Sequence, residues 1–404
     1  MRILIAPDKF KGCLSAAEVA RAIADGLRAA HPSVELDLCP VADGGEGTVD
    51  ALVNATGGRF ETRRVTGPLP NMQVDAMFGI LGDGRTAVIE MASASGLHLL
   101  PAEQRNPQRT TTYGTGQLLL EAAKLGVSGI ILGIGGSATT DGGIGCAQSC
   151  GVPFDPHSES PLTGGDLSRI RGVGVLPLPQ PRSTGISPVP QPRSTGVLPV
   201  PQPRSTGVSP VPPPRSTGVS PVPFPPITVA CDVTNPLYGP NGAAHVFGPQ
   251  KGATPDQVRQ LDDGLRHLAR VLHMEDLAQM PGAGAAGGLG FGMMAFFGAT
   301  LRSGIDIVVD AVRLRERLLD VDLCITGEGR FDSQTLSGKT PVGVARVCRD
   351  LGVPCVALAG AVEQGVDARM AGIEKIVSIG EGLLPQESMR RARELLAAAA
   401  ARLT

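Results

Sequence analysis

Carboxylates and lysines gather in five glycine-rich stretches of this chain: "APDKFKG" (6–12), "ADGGEGT" (42–48), "GGSATTDGG" (135–143), "ACDVTNPLYG" (230–239) and "TGEGRFDSQTLSGKT" (326–340). Acids that suit Mg²⁺, lysines that neutralise phosphate and glycines that admit backbone amides are the parts of phosphoryl transfer. Other chemistries lack their residues. There is no G-x-S-x-G elbow, no H-E-x-x-H, and no complete G-x-G-x-x-G after the first strand.

Each candidate also has an ordinary reading. Asp8, Lys9 and Lys11 could be a solvated turn, but they directly follow an apolar strand, where ligands bind in open α/β sheets. Asp43 and Glu46 precede a helix, where a carboxylate also serves the helix dipole. Ser137 and Asp141 occupy a hydroxyl-rich turn suited to phosphate or substrate hydroxyls. Asp232 and Asn235 could form an Asx turn before Pro236. Glu328, Arg330 and Asp332 share one loop with Lys339. The glycines Gly284, Gly287 and Gly288 either admit a nucleotide or allow a helix to pack closely.

"SQTLSGKT" (333–340) nearly repeats the phosphate loop G-x-x-x-x-G-K-[ST]. Ser333 stands in place of the first glycine, and a strand ending near Thr326 would leave a connection longer than that loop requires. The stretch reads as a different turn whose Lys339 serves a phosphate or carboxylate.

Positioning these groups falls to alternating strands and helices, the pattern of α/β layering over a mainly parallel sheet. "RILIAP", "VELDLCPVA", "TAVIEMA", "GIILGIGG", "ITVACDV", "IDIVVDAV", "DLCITGEG", "PCVALAGAV" and "KIVSIG" read as strands. Helices are predicted after Ser15, with Glu18 completing a capping box, and after Thr254, with Pro255 at the first position and Gln257 closing the box.

A proline-rich unit of 11 residues, "PVPQPRSTGVS", interrupts this pattern over 175–226, marked by Arg182, Arg193, Arg204 and Arg215. Its composition predicts an extended loop without a core or a dedicated partner. The net charge of −2 offers nothing to nucleic acid or an anionic membrane. Eight cysteines without a C-x-x-C pair suit buried thiols in a cytoplasmic enzyme. The uncharged run 283–301 suits a glycine-rich loop feeding a buried helix better than a membrane span.

The motifs "ILIAPDKFKGCLSAAEVA", "PVADGGEGT", "GGSATTDGG", "VACDVTNPLYG", "PGAGAAGGLG" and "TGEGRFDSQTLSGKTPVGVA" together resemble the bacterial glycerate kinase family of the ATP-dependent type. The resemblance implies a two-domain α/β fold. A Rossmann-like three-layer domain formed by the chain ends (1–65 and 286–404) would carry an inserted second α/β domain (66–285). It further implies ATP and D-glycerate as substrates, Mg²⁺ as cofactor, and a monomer or homodimer. On that reading Asp8 or Asp332 accepts the proton, and Asp43, Glu46 and Glu328 hold the metal. Lys9, Lys11 and Lys339 neutralise phosphate, and Arg330 holds the glycerate carboxylate. Ser137, Asp141, Asp232, Asn235 and the glycines of 284–288 bind substrate or phosphate.

Overall fold

A computed structural model describes residues 1–174, 224–332, 335, 339–366 and 369–403. Most of the proline-rich repeat and Ser333 therefore lie outside the described residues.

Residues from the two ends of the chain form one sheet of five parallel strands: β1 (Arg2–Pro7), β2 (Glu35–Leu38), β11 (Leu323–Phe331), β12 (Cys355–Val362) and β13 (Lys375–Ser378). They lie in the order β13-β12-β11-β1-β2. Counted within this sheet alone, that is the doubly wound order 2-1-3-4-5. It differs from the 3-2-1-4-5-6 order of dinucleotide-binding Rossmann sheets, and its switch point falls between β1 and β11. The apolar runs "ILIA" and "CIT" are buried on both faces, as parallel strands covered by helices require.

Between these segments lies a six-stranded mixed sheet, ordered β10-β9-β6-β5-β4-β3. Its strands are β3 (Arg59–Thr66), β4 (Gln73–Ile80), β5 (Thr86–Glu90), β6 (Gly129–Gly133), β9 (Ile227–Ala230) and β10 (Thr300–Arg302); β7 (Phe154–Asp155) and β8 (Gly172–Val173) form a small separate pair. β5, β6, β9 and β10 run parallel, whereas β3 and β4 add an antiparallel edge that the mainly parallel expectation did not include. The limits 66 and 285 fall inside this sheet, which starts at Arg59 and ends at Arg302.

The helices Thr48–Thr56 and Gly304–Ala311 sit between the two sheets in one shared core, in which Leu52 and Val308 join Val88, Ile131 and Ala230. "IDIVVDAV" therefore belongs to a helix and not to a strand. Its β-branched residues favour a strand locally, but Ile305, Val308, Val309 and Val312 are buried at helical spacing. Tertiary packing overrides propensity there. The predicted capping boxes form at Ser15 with Glu18 and at Thr254 with Gln257. Residues 283–301 hold the span Ala285–Phe297, in which Ala286, Gly287 and Gly288 are left-handed and kink the chain before a regular helix, and no described helix is long and apolar enough to cross a membrane.

Candidate active site

The carboxyl ends of both sheets face one another, and the loops between them line three cavities that all include Asp43. Gly44 makes this approach possible. It has φ +89, and a Cβ there would stand 2.7 Å from Gly304 Cα and 2.8 Å from Ala230 Cβ. A side chain at this point would push the Asp43 loop away from the second sheet.

The first cavity, about 480 Å³, lies at the switch point of the five-stranded sheet. Asp8, Lys9, Lys11, Glu328, Arg330, Asp332 and Lys339 all line it with Asp43. Asp8 follows β1, and its carboxylate accepts hydrogen bonds from Lys9 N at 2.6 Å and from the Thr340 hydroxyl at 2.5 Å. Burial, then the negative charge of Asp43, push its pKa up to about 6 against those hydrogen bonds. Glu328 projects from β11. Burial, and next among the raising causes Asp8, push it up to about 7, while Thr335 and Lys339 pull it down. Its Oε1 is buried, with no hydrogen-bond partner among the described residues.

Asp8, Asp43 and Glu328 line the same cavity, and, after burial, the Asp43 charge raises the Asp8 pKa as the Asp8 charge raises that of Glu328. An oxygen-rich set with an orphaned carboxylate oxygen fits a hard divalent ion such as Mg²⁺. Lys339 caps the helix Thr340–Leu351 and lines both this cavity and a larger one of about 790 Å³, which Asp232, Arg302 and Arg346 also border. Arg330 is exposed and stands 3.7 Å from Asp332. β11 runs on to Phe331, so the connection to Thr340 is shorter than a strand ending near Thr326 would leave.

Several candidates do not join this cluster. The Glu46 side chain is exposed outside the three cavities, and its carbonyl accepts from Lys9 Nζ. Asp141 is fully buried. Its carboxylate accepts from Thr112 N at 2.7 Å, Thr112 Oγ1 at 2.8 Å and Gly143 N at 3.1 Å, so it holds its own loop and offers no face to a ligand. The Asn235 side-chain amide donates to Asn241 O, while its backbone carbonyl accepts from Gly284 N, and it lines none of the three cavities. Gly284, Gly287 and Gly288 line none of these cavities, and each lets the backbone pack closely against a neighbouring segment. A Cβ would meet Pro236 O at 2.1 Å, Thr139 O at 2.0 Å and Leu237 Cδ1 at 2.7 Å respectively. Their neighbours Ala285 and Ala286 line a cavity instead.

Ser137 and Asp232 do reach the cleft, in a third cavity of about 420 Å³. Asp232 accepts from Gly304 N at 2.9 Å and so also anchors a helix. Two residues escaped the sequence reading. Thr340, the last residue of "SGKT", bonds Asp8. Lys251 is 3 % exposed and lines the third cavity; its pattern "FGPQKGAT" carries no acid and so gave no sign of a site. The structure also gathers Cys324, Cys348 and Cys355, all buried, with sulfur atoms within 4.8 Å of one another. None of the three lines the cavities that meet at Asp43.

Comparison with known proteins identifies the family. The Glycerate kinase family pattern matches residues 3–183 and 222–404, with its one internal gap inside the proline-rich repeat. A glycerate kinase of Halalkalibacterium halodurans is 42% identical over 400 residues, covering 96% of this chain and 94% of its own. A glycerate 2-kinase of Escherichia coli K12 is 44% identical over 386 residues, covering 94% and 90%. A solved structure from Salmonella typhimurium LT2, named for glycerate kinase 2, superposes with a TM-score of 0.79 at 40% identity, covering 100% of this chain and 97% of its own. An acid-and-lysine cleft at the switch point of a doubly wound sheet, in a chain matched almost end to end, leaves one assignment: this chain belongs to the glycerate kinase family.

Proposed function

We propose that the enzyme transfers the γ-phosphoryl group of ATP to D-glycerate, at the 2-hydroxyl, in the cleft where the three cavities meet. The observation that carries this reading is the convergence of Asp8, Asp43 and Glu328 with Lys339 at the β1/β11 switch point. Two α/β domains facing across that cleft suit it, with the sheets dividing the chain near 59 and 302. Relatives named glycerate kinase and glycerate 2-kinase support the substrate and the position. The mostly buried, free thiols suit a cytoplasmic setting.

Asp8 is the proton acceptor. It is held by Thr340, and its raised pKa makes it a better base at neutral pH than an ordinary aspartate. Asp43 and Glu328 would hold Mg²⁺, which would supply positive charge against the phosphates. Lys339, at the start of a 12-residue helix, adds its charge to the helix dipole to hold phosphate oxygens. Lys9 and Lys11 border the same cavity, and Arg330 offers a fork for a carboxylate.

The direct test is ATP-dependent phosphorylation of D-glycerate, read as ADP release, with glycerol and a hexose as controls. Turnover is expected only with glycerate, and EDTA should abolish it until Mg²⁺ or Mn²⁺ is restored. Full turnover in metal-free buffer removes the assigned role of the carboxylate cluster. Deleting residues 176–223 should leave turnover and melting temperature close to those of the full chain, because a segment this poor in apolar residues adds no core. A large fall in either quantity shows that the repeat packs on the enzyme.

A further inference from the structure

The third cavity contains a cation that the scheme above leaves unused. It opens at the carboxyl ends of β6 and β9 and has largely apolar walls, including Leu97, Ile134, Phe247 and Ala286. Its charged residues are Asp43 and Asp232, which follow strands of the two sheets, and Lys251. Lys251 ends a short turn, Pro249–Lys251, that Gly252 (φ +88) holds tightly against Arg105.

The Lys251 ammonium donates to Thr139 O at 2.6 Å and approaches Ser137 Oγ at 3.4 Å. Both acceptors are neutral, and an ammonium carries a third donor. The nearest negative influence is Asp141, whose oxygens are already committed to Thr112 and Gly143. Burial pulls the Lys251 pKa down to about 7 against that influence. Removing an ammonium from water without a close ion pair is costly, and a chain that needed only to tie down residues 137–139 could do so with a neutral donor. An anion entering the cavity would supply the missing charge.

We propose that Lys251 and Ser137 form the floor of an anion subsite that receives the oxygens of one substrate, either the glycerate carboxylate or a nucleotide phosphate. This deepens the reading of the cleft and rests on it. The two sources share their chemistry, and kinetics separates them. A charge-assisted hydrogen bond contributes about 1.5–3 kcal/mol, which corresponds to about ten- to hundredfold in affinity.

The experiment measures kcat, both KM values and Tm for Lys251→Gln, which keeps a donor for Thr139 O but loses the charge, and for Ser137→Ala. Wild-type glycerate-dependent ADP release is measured alongside; its absence overturns the kinase reading itself. With wild type active, Lys251→Gln should raise one KM about ten- to hundredfold and leave the other within about threefold. Glycerate as the affected substrate identifies a carboxylate subsite; ATP identifies a phosphate subsite. The inference is overturned if both KM values stay within about threefold, or if both worsen equally as Tm falls, because either result makes Lys251 structural. If Lys251→Gln does not fold, Ser137→Ala decides: a selective rise in one KM supports the subsite, and unchanged KM values overturn it.

Discussion

Replacing Asp8 with Asn is expected to lower kcat by about a hundredfold or more, the usual contribution of a positioned base, while raising thermal stability. The two effects share a cause. Burial beside Asp43 lifts the Asp8 pKa from 3.8 to about 6, so the folded state holds that proton more tightly than the unfolded chain. The sign follows from linkage. The ionised carboxylate costs nothing below about pH 4, its cost grows between pH 4 and 6, and the full burden persists above. Two pKa units correspond to about 3 kcal/mol as an upper bound. Asn keeps an acceptor for the Thr340 hydroxyl without the charge. Melting curves in metal-free buffer should therefore separate near pH 7.5, with the variant higher, and converge near pH 4. A variant that melts below wild type at pH 7.5 refutes the electrostatic account; one that keeps more than about a tenth of kcat refutes Asp8 as the base.

Asp141→Ala should have the opposite effect on stability, unfolding the protein more readily. The carboxylate is fully buried and satisfies two groups of Thr112 and the amide of Gly143, and its charge opposes the desolvation of Lys251. Truncation leaves those donors without their acceptor and deprives the buried ammonium of its nearest compensation. Losing one member of such a buried charged network costs about 3–5 kcal/mol. At about 2–4 °C per kcal/mol for a domain of 150–250 residues, Tm should drop by roughly 6 °C or more. A near-wild-type Tm would refute this structural role.

The sequence by itself determined the chemistry and most of the elements. Strand-end clusters such as "APDKFKG" and "TGEGRFDSQTLSGKT" are readable because apolar β runs, glycines and charges alternate locally, and capping boxes at Ser15 and Thr254 depend on residues three apart. Asp8, Glu328 and Lys339 were therefore legible as cleft residues before any fold was known. Tertiary structure decided what depends on contacts distant in sequence. "IDIVVDAV" became a helix because it packs between two sheets. Asp141 and Glu46, similar in their glycine-rich settings, parted because one turn is buried against Thr112 and the other faces solvent. Lys251 reached the cleft only because the chain folds its turn under Thr139, 112 residues earlier. Burial and long-range approach decide which acids stay charged and which cations lack a partner, and neither is encoded in local spacing.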